Sequence, residues 1–391
     1  MSLLPSRTVR ALSALSVGVL ALVATATAAP AADSTPASAA PPITIGATHT
    51  ERSADWWNPK AAVDGAVSLA SKTTQLGNQH IMGWGADSPQ PSPGVWNWSQ
   101  LDARLALIRR TGVQPVITLC CSPDWMKGGA AGTTDWSKIA VAPTADHFDD
   151  FAAMAATIAR RYPDVKYYQV WNELKGFWDT SRNRWNIEAY TVLYNKVYAA
   201  LKAVDPSIKV GGPYVTMDSY SSASVMSNPS TLKGPWGVVD QRALDAIQYW
   251  LDHNAGADFI TVDGWTKTND KGLITTAAVG NDKFAAITTW IKARTTLPVW
   301  WAEVYSDSPG DAAYDTTARA TGMIDALSKI AKSGAAVALL WQPEGGGDVN
   351  TAGLWTPTSS ATGGKATPFW TNLYWAELTW AKNGTKPAIS R

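Results

Sequence analysis

The feature that most constrains the fold is an alternation of short apolar runs with helical patterns, which continues along residues 43–391. Several of the runs are continuously apolar, and this is typical of strands that are covered on both faces, as in parallel sheets. Segments with apolar residues at helical spacing lie between them, such as the one that contains Phe148, Phe151 and Ile158. The order therefore predicts strands that alternate with helices around one parallel sheet.

Eight strand–helix units are predicted, and they favour an α/β protein with a (β/α)8 TIM barrel. The alternative is an open doubly wound sheet, but no Gly-x-Gly-x-x-Gly turn follows the first strand. The predicted strands are Ile43–Gly46, His80–Gly83, Gln114–Leu119, Lys166–Trp171, Lys209–Tyr214, Phe259–Val262, Val299–Val304 and Ala336–Trp341. The predicted helices lie at Ala61–Leu76, Trp98–Arg110, Phe148–Ile158, Ile187–Val204, Ala243–Leu251, Asp282–Ala293, Ala312–Ser333 and Pro368–Leu378.

The first 42 residues predict export rather than a folded element. Two arginines precede the uncharged run Ala11–Ala28, which ends in a small-x-small pattern, so residues 1–28 read as a secretory signal peptide. Residues 29–42 are rich in Pro, Ala, Ser and Thr and predict a disordered linker before a catalytic domain over residues 43–391. A membrane anchor is the alternative, but the run is shorter and less apolar than a spanning helix requires. We therefore expect a secreted protein without a membrane association after cleavage.

Charge and aromatic content narrow the function classes. Lys plus Arg number 33 and Asp plus Glu 32, so no nucleic-acid partner is expected, because nucleic-acid-binding proteins usually show a basic excess. Trp at 21 greatly outnumbers Phe at 6, although Phe fills a core without an N–H group to satisfy. This excess indicates flat aromatic surfaces in a wet cleft, where the C–H faces of a carbohydrate would stack.

The two cysteines, Cys120 and Cys121, are neighbours, so no long-range disulfide is available. An exported chain permits a vicinal disulfide, and two buried thiols are the alternative that stays open. The four histidines are scattered along the chain, so no metal-ligand spacing is present and neither a metal nor a cofactor is expected.

Two glutamates carry the predicted chemistry. Glu173 follows the fourth predicted strand, and Glu303 lies at the end of the seventh. The carboxyl ends of barrel strands meet at one mouth, and a carboxylate there requires a polar cavity. Each alone reads more readily as a rim residue paired with a local Arg or Lys. Together they form the acid and the nucleophile that glycoside cleavage needs.

The ordered set of motifs resembles the clan A glycoside hydrolases, and family 39 in particular. The residues that carry the resemblance are Ser122-Pro123-Asp124-Trp125, Trp171-Asn172-Glu173, Lys209-Val210-Gly211-Gly212-Pro213, Asp258-Phe259-Ile260, Glu303 and Trp341. The resemblance implies that Glu173 is the general acid/base and Glu303 the nucleophile. It also implies that Asn172 binds the hydroxyl next to the reacting carbon and that Trp341 is a stacking floor for the sugar.

The chain departs from the family pattern in three places, one of which is that the family's Arg and His pattern of the second strand is not clear around His80–Gly85. The family has His-x-Tyr after the sixth strand, where its Tyr helps to orient the nucleophile, whereas this chain has Asp263-Gly264-Trp265. An indole N–H donates but cannot accept a hydrogen bond, and Asp adds a charge, so we expect altered sugar recognition or nucleophile tuning. The accessory β-sandwich of the family's xylosidases is missing or much reduced, which leaves a single catalytic domain.

Several further residues are candidates for substrate binding. His49 and Asp87 follow the first two strands, and Tyr305 follows the seventh, where groups that bind hydroxyls would lie. At least two tryptophans near strand ends are expected to line the cleft, and the candidates are Trp84, Trp96, Trp125, Trp178, Trp265 and Trp341.

The sequence thus predicts a secreted retaining glycoside hydrolase that cleaves a plant or microbial oligo- or polysaccharide. A non-catalytic carbohydrate-binding barrel and a transglycosylase on the same scaffold are the alternatives. Carbohydrate is the expected partner, and the sequence predicts neither the sugar nor an oligomeric state.

Overall fold

The structure is a computed structural model that describes residues 43–50, 53–83, 87–271, 276–307, 313–346 and 352–382. The predicted signal peptide and linker, residues 1–42, lie outside the described residues, as does Trp84.

Eight parallel strands close into a barrel, as the sequence predicts. They follow one another around the barrel in chain order, and the last strand pairs with the first, where Thr44 lies opposite Val337. Each crossover from one strand to the next contains a helix, so the fold is a (β/α)8 TIM barrel. The strands are β1 Thr44–His49, β2 Leu76–His80, β3 Gln114–Leu119, β4 Tyr167–Val170, β5 Lys209–Thr216, β6 Phe259–Trp265, β7 Val299–Tyr305 and β8 Val337–Trp341.

The helices pack around the barrel with their apolar faces inward. In the third, Phe148, Phe151, Ala155 and Ile158 are all buried, as their spacing predicts. The fourth begins after Asn186, whose side chain accepts a hydrogen bond from the Ala189 N–H at 3.2 Å and so caps the helix. The helices are α1 Lys60–Thr73, α2 Ser99–Arg110, α3 Phe148–Arg161, α4 Ile187–Val204, α5 Gln241–His253, α6 Asp282–Lys292, α7 Thr317–Lys332 and α8 Pro368–Lys382.

The second strand lies earlier in the chain than the sequence predicts. β2 covers Leu76–His80 rather than His80–Gly83, and α1 accordingly ends at Thr73. The prediction was wrong because β2 is polar and has no apolar run, although all of its residues are buried. Asn78 replaces apolar contacts with hydrogen bonds, since it donates to Thr48 Oγ1 and accepts from Thr118 Oγ1, both at 2.9 Å.

The start of α7 also differs from the prediction. The helix begins at Thr317 rather than at Ala312, which lies outside the described residues. The Thr316 hydroxyl accepts a hydrogen bond from the Arg319 N–H at 3.2 Å, and this cap fixes the first turn.

The barrel interior changes from apolar to polar along its axis. Residues near the strand starts form an apolar floor, in which the rings of Phe259 and Trp300 stack at 4.0 Å. Above it, Thr118 Oγ1 accepts a hydrogen bond from Gln169 Nε2 at 2.9 Å and donates one to Asn78. The polar side chains thus lie toward the carboxyl ends of the strands. The floor consists of Leu76, Val116, Phe259, Trp300, Val337 and Leu339.

Beyond the barrel, the described residues form two small sheets and no full β-sandwich. One has three strands, Ser219–Tyr220, Pro229–Gly234 and Gly237–Asp240, within the segment that follows β5. The other is the hairpin Trp178–Asp179 with Arg184–Trp185, which follows β4. Both lie in segments that follow the carboxyl ends of barrel strands. Among the described residues, no helix combines the length and apolarity that a membrane span requires.

A buried ion pair fastens the segment after β1 to α2. Arg104 pairs with Asp55, and the two side chains are only 1% and 5% exposed. Arg104 Nη1 also donates a hydrogen bond to the Thr50 carbonyl at 2.9 Å. Two contacts of the guanidinium group thus depend on the position of this segment.

We expect Asp55→Ala to reduce the free energy of unfolding by about 3–5 kcal/mol, because it leaves the Arg104 charge buried without its carboxylate. Lys60→Ala is the matched control, since it removes an exposed pair with Asp64 and should change stability by less than about 1 kcal/mol. Urea denaturation of the two variants measures the difference. Equal effects would show that the buried pair does not fasten this segment.

Candidate active site

Three carboxyl groups converge at the carboxyl ends of the barrel strands. Glu173 follows β4, Asp263 lies in β6 and Glu303 lies in β7. One carboxylate oxygen of each lies within 4.8 Å of those of the other two. Side chains that are far apart in the sequence are thus brought to one point by the closure of the barrel.

The backbone after β4 directs Glu173 into this cluster. Trp171 and Glu173 adopt left-handed backbone conformations, with φ of 71° and 50°, which bend the chain away from the strand. The Trp171 indole is fully buried, and its N–H donates a hydrogen bond to the Lys175 carbonyl at 2.7 Å. The bend leaves the Glu173 side chain 21% exposed, so it reaches both the cluster and the solvent.

Two tyrosines fix the Glu303 carboxylate. The Tyr214 hydroxyl in β5 donates to Glu303 Oε1 at 2.6 Å, and the Tyr305 hydroxyl donates to Oε2. Burial raises the pKa of Glu303 to about 8, and the negative charge of Glu173 adds to the rise. Lys175 and the two tyrosine hydroxyls oppose this rise, because they stabilise the ionised form.

Lys175 supplies the positive charge of the cluster. Its ammonium group pairs with Glu173 Oε2. The Asn172 amide is oriented so that both of its polar atoms find hydrogen-bond partners. Its oxygen accepts a hydrogen bond from the Lys175 ammonium group at 3.1 Å, and its nitrogen donates one to Glu303 Oε1 at 3.2 Å. Burial alone would lower the pKa of Lys175, but the carboxylates of Glu173 and Glu303 outweigh it, and the pKa ends above its ordinary value.

Asp263 is the most deeply enclosed of the three acids. It is 2% exposed, and the pairing of β6 with β7 places it beside Glu303. Burial raises its pKa well above the ordinary value, and the charges of Glu173 and Glu303 raise it further.

Among the described residues, these three acids form the one group of acidic, His or Cys side chains with ligand atoms close enough to hold a metal ion. The Lys175 ammonium already contacts Glu173 within the group. The protein thus supplies its own cation to this cluster.

The other predicted site residues near the strand ends lie at different depths. Trp341 ends β8, is 6% exposed and meets the His80 ring edge-on at 5.6 Å. Trp265 ends β6 and is 44% exposed, with its ring 6.1 Å from that of Tyr305. His49 is buried beside Trp355 at 6.5 Å, and its burial lowers its pKa to about 3, so the imidazole is neutral.

Other predicted residues make contacts within the protein or lie on its surface. The Trp125 indole N–H donates to the Gln90 carbonyl at 3.0 Å, and the Asp87 carboxylate accepts from the Gln100 amide. The Trp96 ring stacks on Trp98 at 4.7 Å. Trp178 lies in the hairpin after β4 and is 43% exposed. Of the predicted tryptophans that the structure describes, Trp265 and Trp341 are the two that lie at the carboxyl ends of barrel strands.

Cys120 and Cys121 directly follow β3, are buried and are joined by a disulfide, with Cα atoms 2.9 Å apart. Of the two alternatives left open by the sequence, the structure therefore has the vicinal disulfide.

Sequence reasoning missed Tyr214 and Lys175. Tyr214 directly follows the Gly211-Gly212-Pro213 motif, and its backbone φ of 58° interrupts the simple alternation of a strand. Position at the end of β5 is the signal that could have found it. Lys175 lies two residues beyond Glu173 in a bent segment, where the sequence gives no indication of its direction.

Comparison with protein families shows which family the chain belongs to. The family model described as glycosyl hydrolases family 39 matches residues 86–334, which is more than half of the chain. The chain belongs to glycoside hydrolase family 39. It is therefore an O-glycosyl hydrolase, and carbohydrate is its substrate class. A search of curated proteins finds no match.

Solved structures share the fold of this family 39 chain at low identity. A monomeric beta-xylosidase from Caulobacter crescentus CB15 is 19% identical with a TM-score of 0.59, covering 87% of this chain and 69% of that one. A GH39 enzyme from Xanthomonas axonopodis pv. citri is 17% identical with a TM-score of 0.57, covering 87% and 67%. A glucosidase from Croceicoccus marinus is 15% identical with a TM-score of 0.53, covering 87% and 68%.

The raised pKa of Glu303 predicts a pH-dependent effect on stability. Between its ordinary pKa of 4.5 and about 8, the folded chain retains a proton that the unfolded chain releases, so this group lowers stability as pH rises. We expect Glu303→Gln to raise the melting temperature relative to the native chain at about pH 8, but not at about pH 4.

Glu188→Gln is the matched control, because a hydrogen bond from Arg184 lowers the pKa of Glu188 and its removal should bring no such gain. Calorimetry at the two pH values measures both variants. A Glu303→Gln difference that is the same at both values would contradict the prediction.

Proposed function

We propose that the chain is a secreted, retaining glycoside hydrolase in which Glu303 is the nucleophile and Glu173 the general acid/base. The observation that carries this proposal is the approach of the two carboxyl groups at the barrel mouth. Retaining enzymes hold their carboxyl groups about 5–5.5 Å apart, whereas inverting enzymes need about 6.5–9.5 Å to admit a water. The approach of Glu173 and Glu303 oxygens to within 4.8 Å favours retention.

The surroundings of the two glutamates support different roles. Glu303 is held by hydroxyl donors on both oxygens, so its direction is fixed toward one point, as a nucleophile requires. Glu173 is partly exposed and lies where a leaving group and, later, a water reach it. An acid/base must meet both of these partners in turn.

The reaction then takes two steps. Glu303 attacks the anomeric carbon while Glu173 gives a proton to the leaving oxygen, and a covalent glycosyl-enzyme forms. A water then gives a proton to Glu173 and attacks the same carbon, which releases Glu303 and the sugar. The two inversions give a product with the configuration of the substrate.

Three side chains are proposed to hold the sugar. The Asn172 nitrogen lies 3.2 Å from Glu303 Oε1, so it can bind the hydroxyl next to the reacting carbon. The Trp341 ring would stack against the bound sugar, and the exposed Trp265 would contact the leaving-group side of the substrate at the barrel rim. A plant or microbial oligo- or polysaccharide is the proposed substrate, and aryl β-xylosides and β-glucosides are the first probes.

We expect Glu303→Ala to abolish hydrolysis of the best aryl glycoside, with a loss of at least about 10³-fold in kcat, because no covalent intermediate can form. Added azide should restore turnover and give a glycosyl azide of inverted configuration. Glu173→Ala with azide should instead give the retained configuration, since Glu303 still forms the intermediate. Proton NMR of the products distinguishes the two.

Asp87→Asn is the matched control, because this acid contacts Gln100 and takes no part in the carboxyl cluster. Near-normal turnover of Glu303→Ala would refute the assignment. If the native chain binds sugar but turns over none of the aryl glycosides tested, the barrel is non-catalytic. Transfer to an added sugar acceptor in preference to water would indicate a transglycosylase.

We also propose export, on the basis of residues 1–28. Expression of the full chain in a secreting bacterial host should give extracellular protein that starts near residue 29, as measured by intact mass. Full-length protein retained in the cells would contradict it.

A further inference from the structure

Asp263 has no part in the two displacement steps, yet it belongs to the carboxyl cluster. One of its oxygens lies within 4.8 Å of oxygens of both Glu173 and Glu303. It is 2% exposed, and its Oδ1 atom has no hydrogen-bond partner among the described residues. Burial without such partners disfavours an ionised carboxylate.

The charges around Asp263 also oppose its ionisation. Glu173 after β4 and Glu303 in β7 place two carboxylates against it, whereas Lys175 supplies one adjacent cation. Tyr214 and Tyr305 also face it, and their hydroxyl donors are directed at Glu303. Farther away, Asp218 and Lys283 act on it with opposite signs. Carboxyl groups this close oppose one another's ionisation, so the group keeps a proton at pH values where isolated carboxyl groups have lost theirs.

The first reaction step requires Glu173 to give a proton to the leaving oxygen, and the ammonium group of Lys175 already contacts its carboxylate. A neighbouring acid that can hold this proton would keep Glu173 supplied with it. Asp263, which is buried against Glu173 and opposed by two carboxylates, is the group that can hold it.

We propose that Asp263 is a positioning residue that shares one proton with Glu173 and supplies it to Glu173 for the first step. In the free enzyme the proton is shared between Asp263 and Glu173. Transfer to Glu173 leaves Asp263 ionised, and Glu173 then gives the proton to the leaving oxygen. The water of the second step returns one proton to the pair, so the cycle balances. This inference rests on the proposed function and deepens it.

The proposed sharing agrees with the electrostatics of the group. Burial raises the pKa of Asp263 well above its ordinary value, and a hydrogen bond with Glu173 contributes to the rise. The last proton leaves a group of three carboxylates in the native chain, but a group of only two after Asp263→Asn. That proton is therefore lost at lower pH in the variant.

The first test is the pH profile of kcat/KM with two leaving groups. For a phenyl glycoside, we expect Asp263→Asn to move the alkaline limb to lower pH by about one unit or more, because the variant lacks the second acid with which Glu173 shares the proton. For the 2,4-dinitrophenyl glycoside of the same sugar, departure needs no proton, so this limb should not move. A merely structural role would change both substrates alike.

Asp218→Asn is the matched control, because it makes the same chemical change in an acid that lies outside the group of three. Its alkaline limb should move by less than a third of the Asp263→Asn shift. Equal shifts in the two variants, an unmoved limb in Asp263→Asn, or an equal shift with both leaving groups would overturn the inference.

The second test needs no turnover. In protein labelled with [4-13C]aspartate, one aspartate carboxyl should remain protonated at pH 7.5, as followed by infrared or carbon NMR titration. Its signal should be absent from Asp263→Asn and present in Asp218→Asn. An ionised Asp263 in the native chain would overturn the inference even if Glu303→Ala behaves as proposed. Turnover of Glu303→Ala would refute the proposed function while this titration stands.

Discussion

Mutual repulsion among buried carboxyl groups is the constraint on which the site depends. Three acids share one small volume at the barrel mouth, and each additional negative charge there opposes the others. The fold offsets this repulsion with an ammonium group against Glu173 and two tyrosine hydroxyls against Glu303. These supports come from different strands or the loops after them, so the protonation of the site depends on closure of the whole barrel.

The chemistry proposed for the family 39 barrel follows from unequal support of its acids. Glu303 accepts hydrogen bonds from two tyrosine hydroxyls, which fix the orientation of its carboxylate. Glu173 is partly exposed to solvent and pairs with the ammonium group of a lysine. Asp263 receives neither kind of support and is the least able to ionise. Differences in solvation and charge can thus separate three similar carboxyl groups into a nucleophile, an acid/base and a holder of a proton.

The barrel and the positions of the two glutamates at strand ends could be predicted because both follow from local sequence patterns, without knowledge of tertiary contacts. Buried parallel strands are apolar runs, and Glu173 and Glu303 each stand at the end of one. β2 was misplaced because its polar residues are stabilised by hydrogen bonds to β1 and β3, which only the fold reveals. Tyr214 and Lys175 were missed for a related reason, since their directions are set by local bends rather than by periodicity.

The apolar floor formed by Phe259, Trp300 and their neighbours has a consequence for how such a barrel changes over time. The apolar packing lies at one end of the barrel axis and the carboxyl cluster at the other. Mutations in the rim loops therefore leave the packing contacts of the floor intact. New sugar preferences can then accumulate at the mouth without an accompanying loss of folding. Laboratory evolution of this scaffold should accordingly concentrate its libraries on the loops that follow the strands.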